Sequence, residues 1–302
     1  MTRRSFVAAA VAATGKINDS RGPRFLIAAV TPLERRRQFD DAITKDYLAL
    51  LAAGGADGVL VLGTTGEFAS FAVKERRQIL ESFARHRGKL SLMAQVGAPN
   101  LPDTLELLAH AGACGADAAL VLPPFYFKNV PTDGLVRFYE PILTAAKMPV
   151  LLYNIPQLSG VPITAELLRR LAEYPRLYGM KDSFSKADAM AGFIRDFPKL
   201  KILTGAPGNI ERNLKEGGAG AITGNGSALV RETAAIFQAF RNHGDVAAAQ
   251  ARFNEAARAF AGYDGISAQK YALTLKGLPE MYCRPPLVEL NAEQRKALAA
   301  RL

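Results

Sequence analysis

The chain has 302 residues, of which 49% are hydrophobic and 22% are charged, so it can bury a large core and is not a disordered protein. Charged residues, glycine or proline interrupt every apolar run before the roughly 18 residues of a membrane-spanning helix, so no such helix is predicted. Two cysteines and three histidines are too few for a disulfide scaffold or a histidine-rich metal centre. No metal is therefore expected.

The formal net charge is +10, from 38 Lys and Arg against 28 Asp and Glu. Residues 1–37 contribute eight basic and two acidic side chains, which is more than half of the excess. The remaining charges lie on amphipathic segments without the aromatic-interleaved basic stripe of a nucleic-acid-binding surface. We therefore expect no nucleic-acid partner, and a small carboxylate substrate would suit the positive balance.

The first 21 residues are predicted to lie outside the folded domain, as an N-terminal extension or leader. Arg3 and Arg4, followed by the apolar stretch 7–13, resemble the start of a twin-arginine export signal. Lys16 follows that stretch, which is close to the lower limit of the roughly 7–15 apolar residues that export signals use. A cytoplasmic protein is the prediction, and export is the alternative if the leader is functional.

From Phe25 onward, short apolar or β-branched runs alternate with longer amphipathic stretches, which is typical of parallel strands joined by helices. The strands are predicted at Phe25–Val30, Gly58–Leu62, Leu90–Val96, Ala118–Leu122, Val150–Tyr153, Leu177–Lys181, Lys201–Leu203 and Gly220–Thr223. Between them, three- and four-residue apolar spacing predicts helices at Lys45–Ala53, Glu75–His86, Thr104–Ala113, Leu135–Ala146, Thr164–Glu173 and Ala187–Phe197.

Eight strand–helix units favour a (β/α)8 TIM barrel over residues 22–227, rather than an open doubly wound sheet. No Gly-x-Gly-x-x-Gly turn follows a strand, which disfavours a nucleotide cofactor. Residues 228–302 are helical in pattern throughout, and they predict the last barrel helix and a C-terminal helical extension. These helices are predicted at Glu232–Arg241, Val246–Phe260, Ala268–Lys276 and Ala292–Leu302.

A barrel of this kind carries its active site at the carboxyl ends of its strands. The second strand ends in the turn Gly63–Glu67, whose Thr64 and Thr65 hydroxyls and backbone N–H groups can hold a carboxylate. Tyr126 follows the fourth strand, and Tyr153 closes the fifth. Two phenols and a threonine hydroxyl in contact can pass a proton between a bound substrate and solvent.

The sixth strand delivers Lys181 to the same end of the barrel. A lysine there is either paired with a carboxylate, for which Asp182 and Glu67 are candidates, or desolvated, so that its amine is neutral and nucleophilic. A neutral amine attacks a ketone to give an imine, and the protonated imine is an electron sink for the adjacent C–C bond. That chemistry needs no metal.

Together these motifs resemble the dihydrodipicolinate synthase and N-acetylneuraminate lyase superfamily of class I, Schiff-base pyruvate lyases and aldolases. The resemblance runs through the whole barrel, in the motifs Ala29–Pro32, Gly63–Glu67, Pro124–Tyr126, Tyr153–Pro156, Gly179–Asp182, Gly218–Thr223 and Arg284–Leu287. It implies a carbon–carbon or carbon–oxygen lyase that binds pyruvate or another 2-keto acid as a lysine imine, without a metal or nucleotide cofactor. It also implies a homotetramer, arranged as a dimer of dimers.

The resemblance implies a role for each of the main site residues. Lys181 would form the Schiff base, with Tyr153 as the acid and base above it. Thr64 and Thr65 would bind the pyruvyl carboxylate. Tyr126 matches the tyrosine that, in many members, completes a proton relay across a tight dimer interface.

The second half of the substrate is predicted from departures from the family pattern. Dihydrodipicolinate synthases carry an arginine five residues after the catalytic tyrosine, where this chain has Leu158. Residues 153–161 read YNIPQLSGV, close to the stretch in neuraminate lyases, but residues 206–209 lack the acidic pair that binds the sugar's glycerol tail there. The expected substrate is therefore a 2-keto-3-deoxy sugar acid such as 2-keto-3-deoxygluconate.

Groups at the strand ends are the candidates for substrate binding, namely Gly63, Thr64, Thr65, Ser183, Gly205 and Thr223, with Gln157, Ser159 and Asn225 beside them. The alternatives are a keto-deoxy sugar acid dehydratase, a dihydrodipicolinate synthase-like or N-acetylneuraminate lyase-like enzyme, and a barrel that binds pyruvate without catalysis. A metal-dependent aldolase is disfavoured because histidine ligands are scarce.

Overall fold

The computed structural model describes residues 22–184 and 186–302, so the leader with Arg3 and Arg4 lies outside the described residues. Eight parallel strands pair in chain order and close into one barrel, which confirms the predicted TIM barrel. The strands are β1 (Arg24–Ala28), β2 (Gly58–Val61), β3 (Ser91–Gln95), β4 (Ala118–Val121), β5 (Val150–Asn154), β6 (Leu177–Asp182), β7 (Lys201–Thr204) and β8 (Gly220–Thr223).

Helices connect the strands and cover the outside of the barrel. They are α1 (Asp41–Ala53), α2 (Val73–His86), α3 (Leu101–Ala113), α4 (Thr132–Ala145), α5 (Pro156–Ser159), α6 (Ala165–Leu171), α7 (Ala187–Asp196), α8 (Ile210–Lys215), α9 (Val230–Arg241), α10 (Val246–Ala257), α11 (Gly265–Leu275) and α12 (Ala292–Ala299). The strands are buried on both faces, inside the barrel and beneath the helices, so their sequences are continuous apolar runs. α10, α11 and α12 form the C-terminal helical extension.

Some helix boundaries differ from the predicted ones for local reasons. α1 begins at Asp41 rather than Lys45, because the Asp40 side chain caps it by accepting hydrogen bonds from two backbone N–H groups. The predicted helix Val246–Phe260 ends in a 3₁₀ turn that begins at Arg258. α8 was not predicted, since six residues are too few to show a helical period.

The strand register brings the predicted site residues side by side. Tyr153 on β5 lies opposite Lys181 on β6, and Lys181 lies opposite Leu203 on β7. The turn Gly63–Glu67 follows β2 at the same end of the barrel. Over residues 22–184 and 186–302, the structure has no helix that is long and apolar enough to cross a membrane.

Candidate active site

A cavity of about 510 Å³ opens at the carboxyl ends of the strands. Eight of the residues predicted for the site line it, namely Thr64, Thr65, Tyr153, Gln157, Lys181, Ser183, Gly205 and Asn225. A second cavity, of about 250 Å³, lies at the opposite end of the barrel beside Arg24 and Lys201, and none of the predicted residues lines it. The larger cavity is therefore the candidate active site.

Lys181 lies at the bottom of this cavity with only 3% of its surface exposed. Its Nζ donates a hydrogen bond of 3.3 Å to the Tyr153 Oη and lies 4.4 Å from the centre of the Tyr153 ring. β6 holds the lysine among buried residues, so the amine contacts little water. This placement suits a desolvated amine.

Neither carboxylate proposed as a partner of Lys181 pairs with it, so both suggestions are wrong. Asp182 accepts a 2.8 Å hydrogen bond from the Asn154 side chain, because neighbouring strand residues alternate in direction. Burial raises the pKa of Asp182, and hydrogen bonds from Asn154 and the backbone N–H of Phe184 partly offset that rise. Glu67 instead forms an ion pair with Lys270.

Tyr153 connects Lys181 to the turn after β2. Its Oη lies 3.3 Å from the Thr64 Oγ1, so one phenol contacts both a hydroxyl and an amine. Burial alone would raise the pKa of Tyr153, but the positive charge of Lys181 and the hydrogen bonds with Thr64, Ser183 and Lys181 outweigh it. The pKa is therefore below that of a free tyrosine. A phenol with a lowered pKa is deprotonated in a larger fraction of molecules near neutral pH, and the phenolate form can accept a proton.

The turn after β2 is held by its own backbone. Gly66 and Glu67 donate N–H hydrogen bonds of 3.0 Å to the carbonyls of Gly63 and Thr64, and the Thr31 hydroxyl donates a 2.7 Å hydrogen bond to the Gly66 carbonyl. Thr64 and Thr65 line the cavity, whereas Gly63 contributes to the turn without lining it. The arrangement presents two hydroxyls toward the space above Lys181.

The rim of the cavity brings together part of the remaining predicted set. Gln157 and Asn225 line it, and the Gln157 amide donates a 2.9 Å hydrogen bond to the Ser183 carbonyl. The Ser159 hydroxyl is occupied by the backbone of Val161. Thr223, expected to bind substrate, does not line the cavity.

Thr223 is fully buried, and its hydroxyl has no hydrogen-bond partner among the described residues. A Cβ on Gly226 would lie 2.9 Å from the Thr223 Oγ1 and closer still to Ile27. The side chain therefore packs beside Gly226 and β1. Adjacent residues of a strand point in opposite directions, and the sequence did not indicate which of them faces the cavity.

Tyr126 lies outside the cavity of its own chain. It is 76% exposed on the segment after β4, where it packs edge-on against Phe127, itself 68% exposed. Leu158, at the position of the synthase arginine, is also exposed. An exposed aromatic pair beside an active-site rim is typical of a surface that contacts another protein.

Lys270, a buried charged residue close to the site, was missed by sequence reasoning, and Glu67 was named there only as a partner for Lys181. Glu67 and Lys270 form an ion pair with almost no exposed surface, directly behind the turn after β2. A signal existed in the sequence, since Lys270 lies on the same helical face as Leu273, three residues later. A lysine on the apolar face of a helix indicates a buried partner.

Among the residues that the structure describes, no group of three or more His, Cys, Asp or Glu side chains is arranged to hold a metal ion. The site instead combines a buried amine, a phenol of lowered pKa and a turn with two threonine hydroxyls, one of which contacts the phenol. Such a set can form an imine with a keto acid, hold its carboxylate and move protons.

Comparison with known proteins identifies the family of this chain. Residues 23–302 match the model of the dihydrodipicolinate synthetase family. An uncharacterized DapA-like lyase of Chloroflexus aurantiacus is 42% identical over 84% of this chain and 87% of its own length. A probable 2-dehydro-3-deoxy-D-pentonate aldolase of Escherichia coli is 29% identical over 85% of this chain and 88% of its own.

Solved structures give the same result. A prophage protein of Escherichia coli K12 from the dihydrodipicolinic acid synthase family, in complex with pyruvate, superimposes with a TM-score of 0.87 at 25% identity. The match covers 92% of this chain and 96% of that one. The N-acetylneuraminate lyase of Proteus mirabilis gives a TM-score of 0.85 at 27% identity, covering 92% and 97% of the two chains. The chain thus belongs to the dihydrodipicolinate synthetase family and is a lyase of that family.

Proposed function

We propose that the protein is a class I, metal-independent aldolase that joins or cleaves pyruvate and an aldehyde through a Schiff base on Lys181. The observation that carries the proposal is the buried Lys181 amine, hydrogen-bonded to Tyr153 and paired with no carboxylate among the described residues. No cofactor is needed, because the lysine itself supplies the electron sink.

The positions of the side chains support the following reaction. The Lys181 Nζ attacks the C2 carbonyl of the keto acid, and loss of one water gives an imine that is protonated to an iminium. For cleavage, Tyr153 takes the proton from the C4 hydroxyl as the C3–C4 bond breaks, and the bonding electrons move onto the iminium nitrogen to give an enamine. The aldehyde leaves, a proton is added at C3, and water hydrolyses the imine to release pyruvate.

The turn after β2 would hold the carboxylate of the keto acid. Thr64 and Thr65 both line the cavity, and hydroxyl and backbone N–H donors together suit an anion. Thr64 also touches Tyr153, so the group that binds the carboxylate is in contact with the group that moves the proton. Substrate binding would thereby orient the acid–base tyrosine.

The lining of the other half of the cavity supports a neutral, hydroxyl-bearing partner. Among the described residues that line it, Lys181 is the only one with a charged side chain, and Gln157, Ser183, Asn209 and Asn225 offer neutral hydrogen-bonding groups. A buried carboxylate on the second substrate would lack a counter-charge there. We therefore propose a 2-keto-3-deoxy sugar acid, such as 2-keto-3-deoxygluconate, as the substrate class.

The relative named as a 2-dehydro-3-deoxy-D-pentonate aldolase supports that class of substrate. Assembly as a homotetramer, with Tyr126 reaching the cavity of a second copy, is part of the same proposal. The exposed Tyr126 and Phe127 pair supports it, because one chain alone leaves both rings in water. The cytoplasmic location stays a prediction from the sequence.

Trapping with borohydride tests the mechanism. The protein is incubated with pyruvate and borohydride, which reduces an imine to a stable amine, and the adduct is located by intact mass and peptide mapping. We expect one pyruvyl adduct, on Lys181, and none in Lys181→Ala. Lys186→Ala, which changes an exposed lysine five residues later at the start of α7, is the matched control and keeps the adduct. No adduct in folded wild-type protein would favour a barrel that binds without catalysis.

Product analysis then separates the remaining activities. We expect 2-keto-3-deoxygluconate to release pyruvate and an aldehyde. Loss of water without C–C cleavage would instead indicate a dehydratase. Turnover of N-acetylneuraminate, or condensation with aspartate semialdehyde, would contradict the proposed substrate class.

A further inference from the structure

The buried ion pair behind the turn after β2 has no part in the chemistry described above. The Glu67 and Lys270 side chains are 0% and 1% exposed, and the Lys270 Nζ donates a hydrogen bond to the Glu67 Oε1. Two charges withdrawn from water carry a large desolvation cost, which is offset only where the pairing is close and the remaining hydrogen bonds are made. A pair at this depth therefore depends on its surroundings.

Those surroundings satisfy both partners. The Lys270 Nζ also donates to the Tyr282 carbonyl, and the backbone N–H of Arg284 donates a 2.9 Å hydrogen bond to the Glu67 Oε2. Each carboxylate oxygen of Glu67 thus receives a donor from the C-terminal part of the chain. The Glu67 side chain is therefore the point at which the C-terminal part of the chain holds the turn.

Glu67 is itself in an unusual backbone conformation. Its φ is +56°, in the left-handed region that residues other than glycine rarely adopt. Its N–H closes the turn on the Thr64 carbonyl, so the conformation of Glu67 helps to determine where Thr64 and Thr65 point. A hydrogen-bonded, buried side chain can stabilise a backbone conformation that is otherwise costly.

The residue next to Lys270 makes a parallel contact. The Gln269 Oε1 accepts a 2.9 Å hydrogen bond from the N–H of Ala228, just after β8. That loop begins at Gly224, where a Cβ would lie 2.6 Å from the Thr65 Oγ1. Consecutive residues of α11 thus fasten two neighbouring loops that both line the cavity.

From these contacts we infer that Glu67 and Lys270 are positioning residues, and that through them α11 of the C-terminal extension holds the turn that binds the substrate carboxylate. The inference rests on the proposed function for what the turn binds. Pairing also matters electrostatically, because an uncompensated Glu67 charge behind the turn would repel the incoming carboxylate. Loss of Lys270 should therefore weaken pyruvate binding more than it slows the chemical steps.

Kinetics of borohydride trapping test the inference. For Lys270→Met we expect the pyruvate concentration at half-maximal trapping to rise about tenfold or more, while the maximal rate changes by less than about threefold. The matched control is Arg87→Met, which removes the partner of buried Asp117 at the opposite end of the barrel. The control should leave both kinetic parameters within about twofold of wild type.

The double variant Glu67→Gln with Lys270→Met distinguishes positioning from general damage. The double variant leaves no unpaired charge. Its pyruvate concentration at half-maximal trapping should therefore lie closer to the wild-type value than that of Lys270→Met alone. The inference would be overturned if the effects of the two single substitutions on the pyruvate concentration at half-maximal trapping add in the double variant, or if the double variant requires still more pyruvate. Glu67→Gln alone is the second variant, should Lys270→Met fail to fold.

Hydrogen exchange gives a readout that does not depend on catalysis. Peptides covering residues 63–68 should exchange faster in Lys270→Met and in Glu67→Gln, but not in Arg87→Met. Unchanged exchange in that segment would overturn the positioning role even if pyruvate binds. If wild-type protein forms no adduct, the proposed function fails, while the exchange measurement still decides whether the pair holds the turn.

Discussion

Replacement of Gly205 by alanine should disturb the site through steric overlap with neighbouring side chains. Gly205 follows β7, and a Cβ added there would overlap the Ser183 Oγ. It would also lie 2.9 Å from the Ser183 Cβ and 3.0 Å from the Lys181 Cε. Both distances are shorter than the 3.4 Å at which ordinary van der Waals contact begins, so the two side chains must move.

The size of the effect follows from what has to move. The Ser183 hydroxyl can rotate away, but its Cβ cannot, so β6 must shift by about 0.5 Å and take Lys181 with it. Overpacking of this kind costs about 1–3 kcal/mol. Rotation also removes the hydrogen bond from Ser183 that helps to lower the pKa of Tyr153. Together we expect the second-order rate constant of pyruvate trapping to fall about 10- to 100-fold.

Gly208→Ala is the matched control, because Gly208 lines the same cavity three residues later and an added Cβ there has no atom within 4 Å. The assay is pyruvate-dependent borohydride trapping, with thermal unfolding measured in parallel. Ser183→Ala combined with Gly205→Ala removes the overlapping oxygen and should recover part of the lost rate. Equal rates in the two glycine variants would refute the reasoning.

Three further predictions concern single groups. Thr64→Val removes a hydrogen bond that lowers the pKa of Tyr153, so the pKa of Tyr153 should rise. In a pH profile of the trapping rate, the acidic limb should then move to higher pH. Thr64→Ser keeps the hydroxyl and should leave that limb unchanged. Tyr126→Ala should give smaller species in sedimentation, whereas Tyr126→Phe should keep the assembly and slow proton transfer; an unchanged assembly in Tyr126→Ala would contradict an interface there. Treatment with EDTA should leave trapping by Lys181 unchanged, and a chelator-sensitive rate restored by metal would contradict a lysine electron sink.

The barrel could be predicted from the sequence because its strands are buried on both faces. A short apolar run between amphipathic stretches is typical of a buried parallel strand, and each of the predicted runs overlaps a strand of the barrel. Lys181 and Tyr153 stand at or next to the carboxyl ends of their runs, so their shared end of the barrel followed from parallel pairing alone. That Tyr153 and Lys181 lie directly opposite each other on neighbouring strands was seen only in the structure.

Contacts between distant segments could not be predicted. Glu67 and Lys270 are separated by 203 residues, and no local pattern connects them. The turn suggested Glu67 as a partner for Lys181, because both follow strands at the same end of the barrel. The fold instead buries Glu67 behind the turn, where α11 supplies its cation. Which of two neighbouring carboxylates or hydroxyls faces a cavity depends on packing that sequence periodicity does not contain.

The two halves of the site are built from different kinds of structure. Lys181 and Tyr153 lie within strands of a closed sheet, and Thr64 lies on a turn fastened from behind by Glu67. The opposite wall comes instead from loop residues after β5, β7 and β8. Loops tolerate substitution better than barrel strands, since fewer packed neighbours constrain them. Apart from Gly205, which packs against Ser183 and Lys181, this wall can therefore be exchanged without moving the lysine or the tyrosine, so the proposed imine-forming centre would serve different aldehydes.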